Sequence, residues 1–218
     1  MARDEDVARS YDAVAAEYVE RFENELDHKP FDREILDRFA EALRQEGVVC
    51  DLGCGPGQIA RYLHGRGVDM CGIDLSAEMI EQARRLNPGL SFEVGDMLAL
   101  SAADSGWAGI SAFYSIIHVP PTSLARALGE MHRTLRPGGL LLLAFHSRDR
   151  ANPERAVAHL DEWWDKKVSV DFFFHARDTM QAALREARLA VEEVLERAPY
   201  PDVEAQTDRT YIFARKAS

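Results

Sequence analysis

The chain has 218 residues, 46% hydrophobic and 29% charged, which is the length and balance of one globular domain with room for an embellishment. A core of that size buries roughly 70% of the surface its unfolded chain would expose, so neither disulfides nor a structural metal are needed for folding. Lys and Arg number 26 against 37 Asp and Glu, a formal net charge of −11. Such a surface repels a polyphosphate backbone, which excludes stable nucleic-acid binding unless a basic patch overrides it, and none is evident.

The spacing of Val7, Tyr11, Val14, Ala15, Tyr18 and Phe22 predicts a helix over 6–20. A second is expected over 31–45, with Phe31, Ile35, Leu36, Phe39 and Leu43 on one face and Gly47 as its stop. Short apolar runs then recur at 48–52, 68–73, 90–94, 109–115 and 140–145. Helical patterns separate them at 58–64, 77–86 and 123–135, with Ser76 as an N-cap and Glu78 and Glu81 in the turn that follows. Strands that alternate with helices in this way make a mostly parallel sheet. Residues 147–177, with Trp163, Trp164 and the run Phe172 to Phe174, fit the alternation least. We expect a cap there, a helix followed by an extended stretch. The tail reads as a helix at 178–188 and strands at 191–197 and 209–215, with Pro199 and Pro201 between them. Two strands with no intervening helix must be antiparallel neighbours. One domain is therefore expected: N-terminal helices over 1–46, a core over 47–146, the cap over 147–177 and the tail over 178–218.

Cys50, Cys54 and Cys71 are odd in number and form no CxxC pair, so they read as small core residues in a reducing compartment. The first 22 residues hold no apolar signal core, and the longest apolar run, 140–145, is too short to span a bilayer. The expectation is a cytoplasmic protein without a membrane partner.

The informative stretch is Val48-Val49-Cys50-Asp51-Leu52-Gly53-Cys54-Gly55-Pro56-Gly57. A buried strand ends in an acid, and three glycines precede a helix. Glycine lets a ligand approach the backbone closely, and a helix start offers unpaired N–H groups. In a dinucleotide loop these groups hold a pyrophosphate. Here Asp51 at the base of the loop would repel a phosphate and suits an ammonium or hydroxyls instead. Asp74, at the end of the second strand, can accept from both ribose hydroxyls. Asp96, after the third, can accept from an adenine amino group, with Met97 and Leu98 as apolar wall and backbone donor.

This ordered set, completed by Leu135-Arg136-Pro137-Gly138-Gly139 before the fifth strand, resembles the class I S-adenosylmethionine-dependent methyltransferases. The closest subgroup is the small-molecule type of quinone and natural-product biosynthesis. The resemblance implies a Rossmann-like α/β fold with a seven-stranded sheet in the order 3-2-1-4-5-7-6, the last strand antiparallel. It also implies lid helices at the N-terminus, S-adenosylmethionine as donor and S-adenosylhomocysteine as product. Its cofactor contacts would fall on Asp51, Gly53, Cys54, Gly55, Gly57, Asp74, Leu75, Met79, Asp96, Met97, Leu98 and Ser115. The Asn/Asp-Pro-Pro-Tyr signature of amide and nucleobase nitrogen methylation is absent after the fourth strand, and no metal-ligand acids are recognisable.

Tyr11 and Tyr18, seven residues apart on one helix face, either pack the core or close over a sulfonium, whose charge an aromatic face attracts. His118 and His146, just past the fourth and fifth strands, are candidates for a general base or substrate orienter, with His175 behind them. Tyr114, His118, Trp163, Trp164 and Phe173 are candidate acceptor contacts, against the plainer reading that the aromatics pack the cap. The expected reaction is methyl transfer to a small-molecule acceptor. A non-methylating enzyme on the same scaffold, an aminopropyl transferase or cyclase, and a non-catalytic cofactor-binding domain are the alternatives.

Overall fold

The computed structural model describes residues 4–217, so the first three residues of the expected lid segment and Ser218 lie outside the described residues. In chain order the elements are α1 (Asp4–Phe22), α2 (Pro30–Leu43), β1 (Val48–Leu52), α3 (Gln58–His64), β2 (Asp69–Asp74), α4 (Ala77–Leu86), β3 (Ser91–Val94), β4 (Trp107–Phe113), α5 (Pro121–Thr134) and β5 (Leu135–Asp149). There follow β6 (Val157–Trp163), β7 (Lys166–Phe173), α6 (Arg177–Glu186), β8 (Leu189–Arg197) and β9 (Thr207–Lys216). The main sheet runs β3-β2-β1-β4-β5-β9-β8. Only β9 is reversed, antiparallel to both β5 and β8. With the separate β6–β7 pair set aside, this is the expected order of a class I methyltransferase sheet.

Period-2 alternation divides the core between the two faces of the sheet. Leu140, Leu142 and Ala144 of β5 pack with Ile35, Leu36 and Phe39 of α2 and with α3. Leu141, Leu143 and Phe145 pack on the other side with Leu124, Leu128 and Met131 of α5 and with α6. Both faces are covered, so the central strands are apolar throughout, as a parallel sheet requires.

Three local expectations are corrected. Helix α2 stops at Leu43, not at a glycine cap, and Arg44 is already extended. The chain turns into β1 through left-handed Gln45 (φ 63°) and Gly47 (φ 116°). The Leu135–Gly139 stretch is part of β5, because Leu135 already pairs with Trp107 and a register shift before Gly109 absorbs the extra residues. The largest correction is the cap. Residues 147–177 hold no helix before the extended stretch but a β6–β7 hairpin, once β5 has run on to Asp149. Its tip is Trp164 and Asp165, both left-handed (φ 52° and 62°), the backbone of a tight primed hairpin turn.

That hairpin is anchored on α1. The backbone N–H of Ser169 donates to Ser10 Oγ (2.8 Å), and Lys166 Nζ donates to the Ala13 carbonyl (2.6 Å) and Glu17 Oε2 (2.9 Å). Asp12 fixes α1 to the start of α4, accepting hydrogen bonds from Ser76 Oγ (2.6 Å) and Glu78 N–H (3.1 Å). Ser76 accepts from Met79 N–H (3.1 Å) as the expected N-cap. Helix α1 and the hairpin thus form one roof over the carboxyl ends of the strands.

Candidate active site

Beneath that roof is a cavity of about 870 Å³, within the range of small-molecule sites. Its floor is the loop after β1. Gly53 (φ 69°), Gly55 (φ 52°) and Gly57 (φ 84°) all adopt a left-handed backbone. At Gly53 the requirement is also steric, since a Cβ would lie 2.2 Å from Ser115 Cβ. Ser115 is held there by donating to the Leu52 carbonyl (2.5 Å). Gly53→Ala is therefore expected to destabilise the protein by about 2 kcal/mol or more, from left-handed strain and overpacking together. Thermal unfolding of the variant measures this, and an unchanged midpoint would contradict the close approach.

The three acids are placed differently. Asp74 lines the cavity and braces the loop: its Oδ2 accepts from Gly55 N–H (2.8 Å) and its Oδ1 from Ser76 N–H (2.9 Å). Burial pushes its carboxyl up, against those two donors. Asp96 also lines the cavity, with Oδ1 accepting from Leu98 N–H (2.8 Å). Asp51 is behind the loop rather than in the cavity wall. Ser111 Oγ donates to its Oδ1 (2.6 Å), while its buried Oδ2 has no hydrogen-bond partner among the described residues. Burial raises this carboxyl to about 7.

Tyr11, Tyr18, Cys54, Leu75, Met79, Met97, Leu98, Tyr114, Ser115, His118, His146 and Trp163 line the cavity together with Gly53 and Gly55. Gly57, Trp164 and Phe173 do not. Gly57 is turned to Asn87 and Phe92. Trp164 packs against Trp163, Tyr18, Phe22 and Arg21. Alternation along β7 sends Phe173 to His175, outside the cavity lining, and gives the lining position to Phe172 instead.

His118 donates through Nδ1 to the Asp171 carbonyl (3.0 Å), which leaves Nε2 as the acceptor facing the Tyr11 hydroxyl (2.8 Å). Burial lowers it to about 4, so it is neutral at physiological pH. His146 stacks on Tyr114 (5.3 Å between centroids). Burial and the nearby Arg209 lower it to about 3.

Sequence reasoning missed a buried ionic network behind Tyr114. Asp32, fully buried, accepts from Tyr114 OH (3.0 Å), Tyr211 OH (3.1 Å) and Arg197 Nη2 (2.6 Å). Arg197 continues to Glu204, which also meets Arg209 (3.1 Å) and Lys29 (3.8 Å). The network holds Tyr114 at φ 58°, a conformation that a bulky residue adopts only when its surroundings impose it. One signal was readable. Asp32 is three and four residues before Ile35 and Leu36, on the apolar face of α2.

Residues 49–139 match the family model described as a methyltransferase domain. That stretch contains the glycine–acid loop and runs from strand β1 through β4 of the sheet. The chain carries a methyltransferase domain over 49–139, on a sheet with the class I strand order. It is 29% identical over 181 residues to a malonyl-[acyl-carrier protein] O-methyltransferase of Enterobacter lignolyticus, covering 79% of this chain and 67% of that one. It is 32% identical over 154 residues to a demethylmenaquinone methyltransferase of Beutenbergia cavernae, covering 70% and 62%. Across such curated methyltransferase relatives the match spans from 41% to 68% of their own length. Among solved structures, a methyltransferase of Haloferax volcanii in complex with its Trm112 activator superposes with a TM-score of 0.70 at 23% identity, over 97% of this chain and 98% of that one. The [4+2]-cyclase SpnF does so at 0.72 and 16%, over 99% and 97%. At these identities the likeness is one of fold.

Proposed function

We propose that this chain transfers a methyl group from S-adenosylmethionine to a small-molecule acceptor by in-line displacement. One observation carries the reading: a backbone loop where Cβ atoms are excluded, with Asp74 and Asp96 beside it, opens into the same cavity as an aromatic- and histidine-lined end. The residues fit the cofactor. Asp74 would hold the ribose hydroxyls, and Asp96, Met97 and Leu98 the adenine. The loop from Gly53 to Gly55 would meet the methionine end, with the buried Asp51 carboxyl behind it. When bound, the sulfonium supplies an already activated methyl group, so alignment of nucleophile, carbon and sulfur is the main task left to the protein.

Tyr11 and Tyr18 on α1, and Trp163 and Phe172 on the hairpin, exclude water from that line. His118 is the candidate proton acceptor for a hydroxyl nucleophile that takes the place of the Tyr11 hydroxyl at Nε2, whose lone pair is fixed by the Nδ1–H bond to the Asp171 carbonyl. The acidic balance of the chain argues against a nucleic-acid acceptor.

Two results test the catalytic part. His118→Asn is expected to slow methylation of a hydroxyl acceptor by roughly 100-fold or more, with S-adenosylhomocysteine affinity unchanged by calorimetry. The pH dependence has a definite sign. A folded-state value of about 4, below the usual 6.5, keeps this imidazole neutral across pH 5 to 7, so its limb in kcat/KM falls near 4. The unfolded chain takes up that proton between 6.5 and 4 while the fold resists it, so this group lowers stability as pH falls through that window. A limb near 6.5 would remove His118 from the role.

The cofactor itself is tested by calorimetry with S-adenosylmethionine and S-adenosylhomocysteine, both expected to bind; binding of neither rejects the reading. The fold shared with the [4+2]-cyclase SpnF supports a second reading, a cyclase that binds the cofactor without consuming it. Methyl-labelled cofactor incubated with candidate acceptors decides between them, since label that never leaves the cofactor favours the cyclase.

A further inference from the structure

Past Tyr114 the cavity ends against β5 and β9 in a group of hydrogen-bond donors that cofactor binding does not require. His146 and Arg209 are register partners on these two strands, and both line the cavity. Arg209 is only 2% exposed, yet its hydrogen bonding is incomplete. Its Nη1 donates to the carbonyl and hydroxyl of Thr207, the latter at 3.2 Å. Its Nε is 3.1 Å from Glu204 Oε2 but out of line for a hydrogen bond. Its Nη2 has no acceptor among the described residues. A guanidinium this buried normally has its donors filled.

The second donor follows from the first. Thr207 Oγ1 accepts from Arg209, so its own proton is free to go to His146 Nδ1, 2.8 Å away. With the hydroxyl donating in that direction, His146 carries its proton on Nε2, which has no acceptor among the described residues. Lys29 adds charge from the α2 side: its Nζ is 3.8 Å from Glu204, 2.5 Å from Glu25 Oε2 and 5.8 Å above the Tyr114 ring. Glu25 and Glu204 share this wall, but the carboxylates closest to Tyr114 and Arg209 are already engaged. Asp32 is taken by Arg197, Tyr114 and Tyr211, and Glu204 by Arg197 and the Tyr200 N–H. Among the described residues, Arg209 and His146 therefore have donors left over at this end of the cavity.

We propose that the methyl acceptor bears a carboxylate, seated by Arg209 Nη2 and the His146 Nε2–H, with its apolar body toward Tyr114, Phe172 and Trp163. Two oxygens match two unfilled donors, and a charged acceptor strengthens both bonds. The inference rests on the methyl-transfer reading and narrows its substrate class to acidic, apolar-bodied molecules. It also makes His146 a positioning donor rather than a base.

The test uses the full chain saturated with S-adenosylhomocysteine at pH 7, titrated calorimetrically with 3-phenylpropionate and with 3-phenylpropionamide, which has the same shape without the charge. The acid is expected to bind at least tenfold more tightly. Arg209→Gln should remove that preference while leaving the affinities for the amide and for S-adenosylhomocysteine unchanged, and Lys29→Gln should reduce it several-fold. Equal affinities for acid and amide, or binding of neither probe, overturn the proposal. Should Arg209→Gln fail to fold, the comparison on the unaltered chain decides alone. Failure to bind S-adenosylhomocysteine would instead indict the methyl-transfer reading, so the two failures are distinct.

Discussion

Asp74→Ala is expected to lower S-adenosylhomocysteine affinity at least tenfold while the protein stays folded. The carboxylate is at the carboxyl end of β2, one strand from the glycine loop, and serves both. Through Oδ2 it accepts from Gly55 N–H and through Oδ1 from Ser76 N–H. It thereby holds the loop in the conformation that leaves the cavity floor bare. Its remaining lone pairs face the cavity, where ribose hydroxyls would donate. Hydrogen bonds to a charged group contribute about 1.5–3 kcal/mol each, and tenfold is about 1.4 kcal/mol, so loss of a single ribose contact suffices. The fold should survive for two reasons. Burial raises this carboxyl, so its removal relieves a desolvated charge, and the abandoned N–H groups border a cavity that water can enter. Asp74→Asn separates the two roles. Its amide oxygen can keep one backbone donor satisfied, but it cannot accept from two hydroxyls as a carboxylate does. Calorimetry gives affinity and thermal unfolding gives stability. Unchanged affinity in the alanine variant would place the ribose elsewhere.

The part of this site that was legible in the sequence is the part written in local backbone chemistry. Three glycines that need a left-handed backbone, an acid at each of two strand ends and the apolar strands between them have meaning within a few residues, and they fall where expected. The tail was legible for the same reason, since two strands with a proline-bearing turn between them leave an antiparallel pair as the simple solution. The hairpin was not. Its strands are half-exposed, with charged residues among Trp163, Trp164 and the phenylalanines, and its turn uses Trp164 and Asp165 in place of the usual Asn or Gly. Without the strand assignment, the choice between Phe172 and Phe173 could not be made, because a shift of one residue reverses the face. The acceptor end was hidden for another reason. Asp32 and Arg197 are 165 residues apart in the chain, and only the close approach of α2 to the β8–β9 turn makes them partners.

That distant pairing sets up the largest stability effect. Asp32→Ala is expected to destabilise the protein by about 3 kcal/mol, the lower end of the cost of breaking a buried ion pair from one side. The lower end applies because Arg197 keeps a second carboxylate, Glu204, and is not left wholly uncompensated. Two phenols also lose their acceptor, although Tyr114 and Tyr211 retain each other at 2.7 Å. For a domain of this size, about 3 kcal/mol corresponds to a fall of roughly 6–12 °C in the unfolding midpoint. A double variant, Asp32→Ala with Arg197→Met, should recover part of that loss, because the guanidinium donors that faced Asp32 are then gone from the gap, while Glu204 keeps Arg209 and Lys29. With Arg197→Met alone completing the cycle, a double variant whose loss equals the sum of the two single losses would show that the pair is not coupled. A second readout concerns Tyr114. Its left-handed backbone follows directly on β4, and its hydroxyl is tied to Asp32. Once that tie is cut, the ring that carries the stack on His146 is free to relax. The loss should therefore appear in acceptor KM and leave S-adenosylhomocysteine affinity nearly unchanged, since none of the residues assigned to the cofactor touches Asp32. A matching fall in cofactor affinity would mean that the network supports the whole cavity rather than its acceptor end.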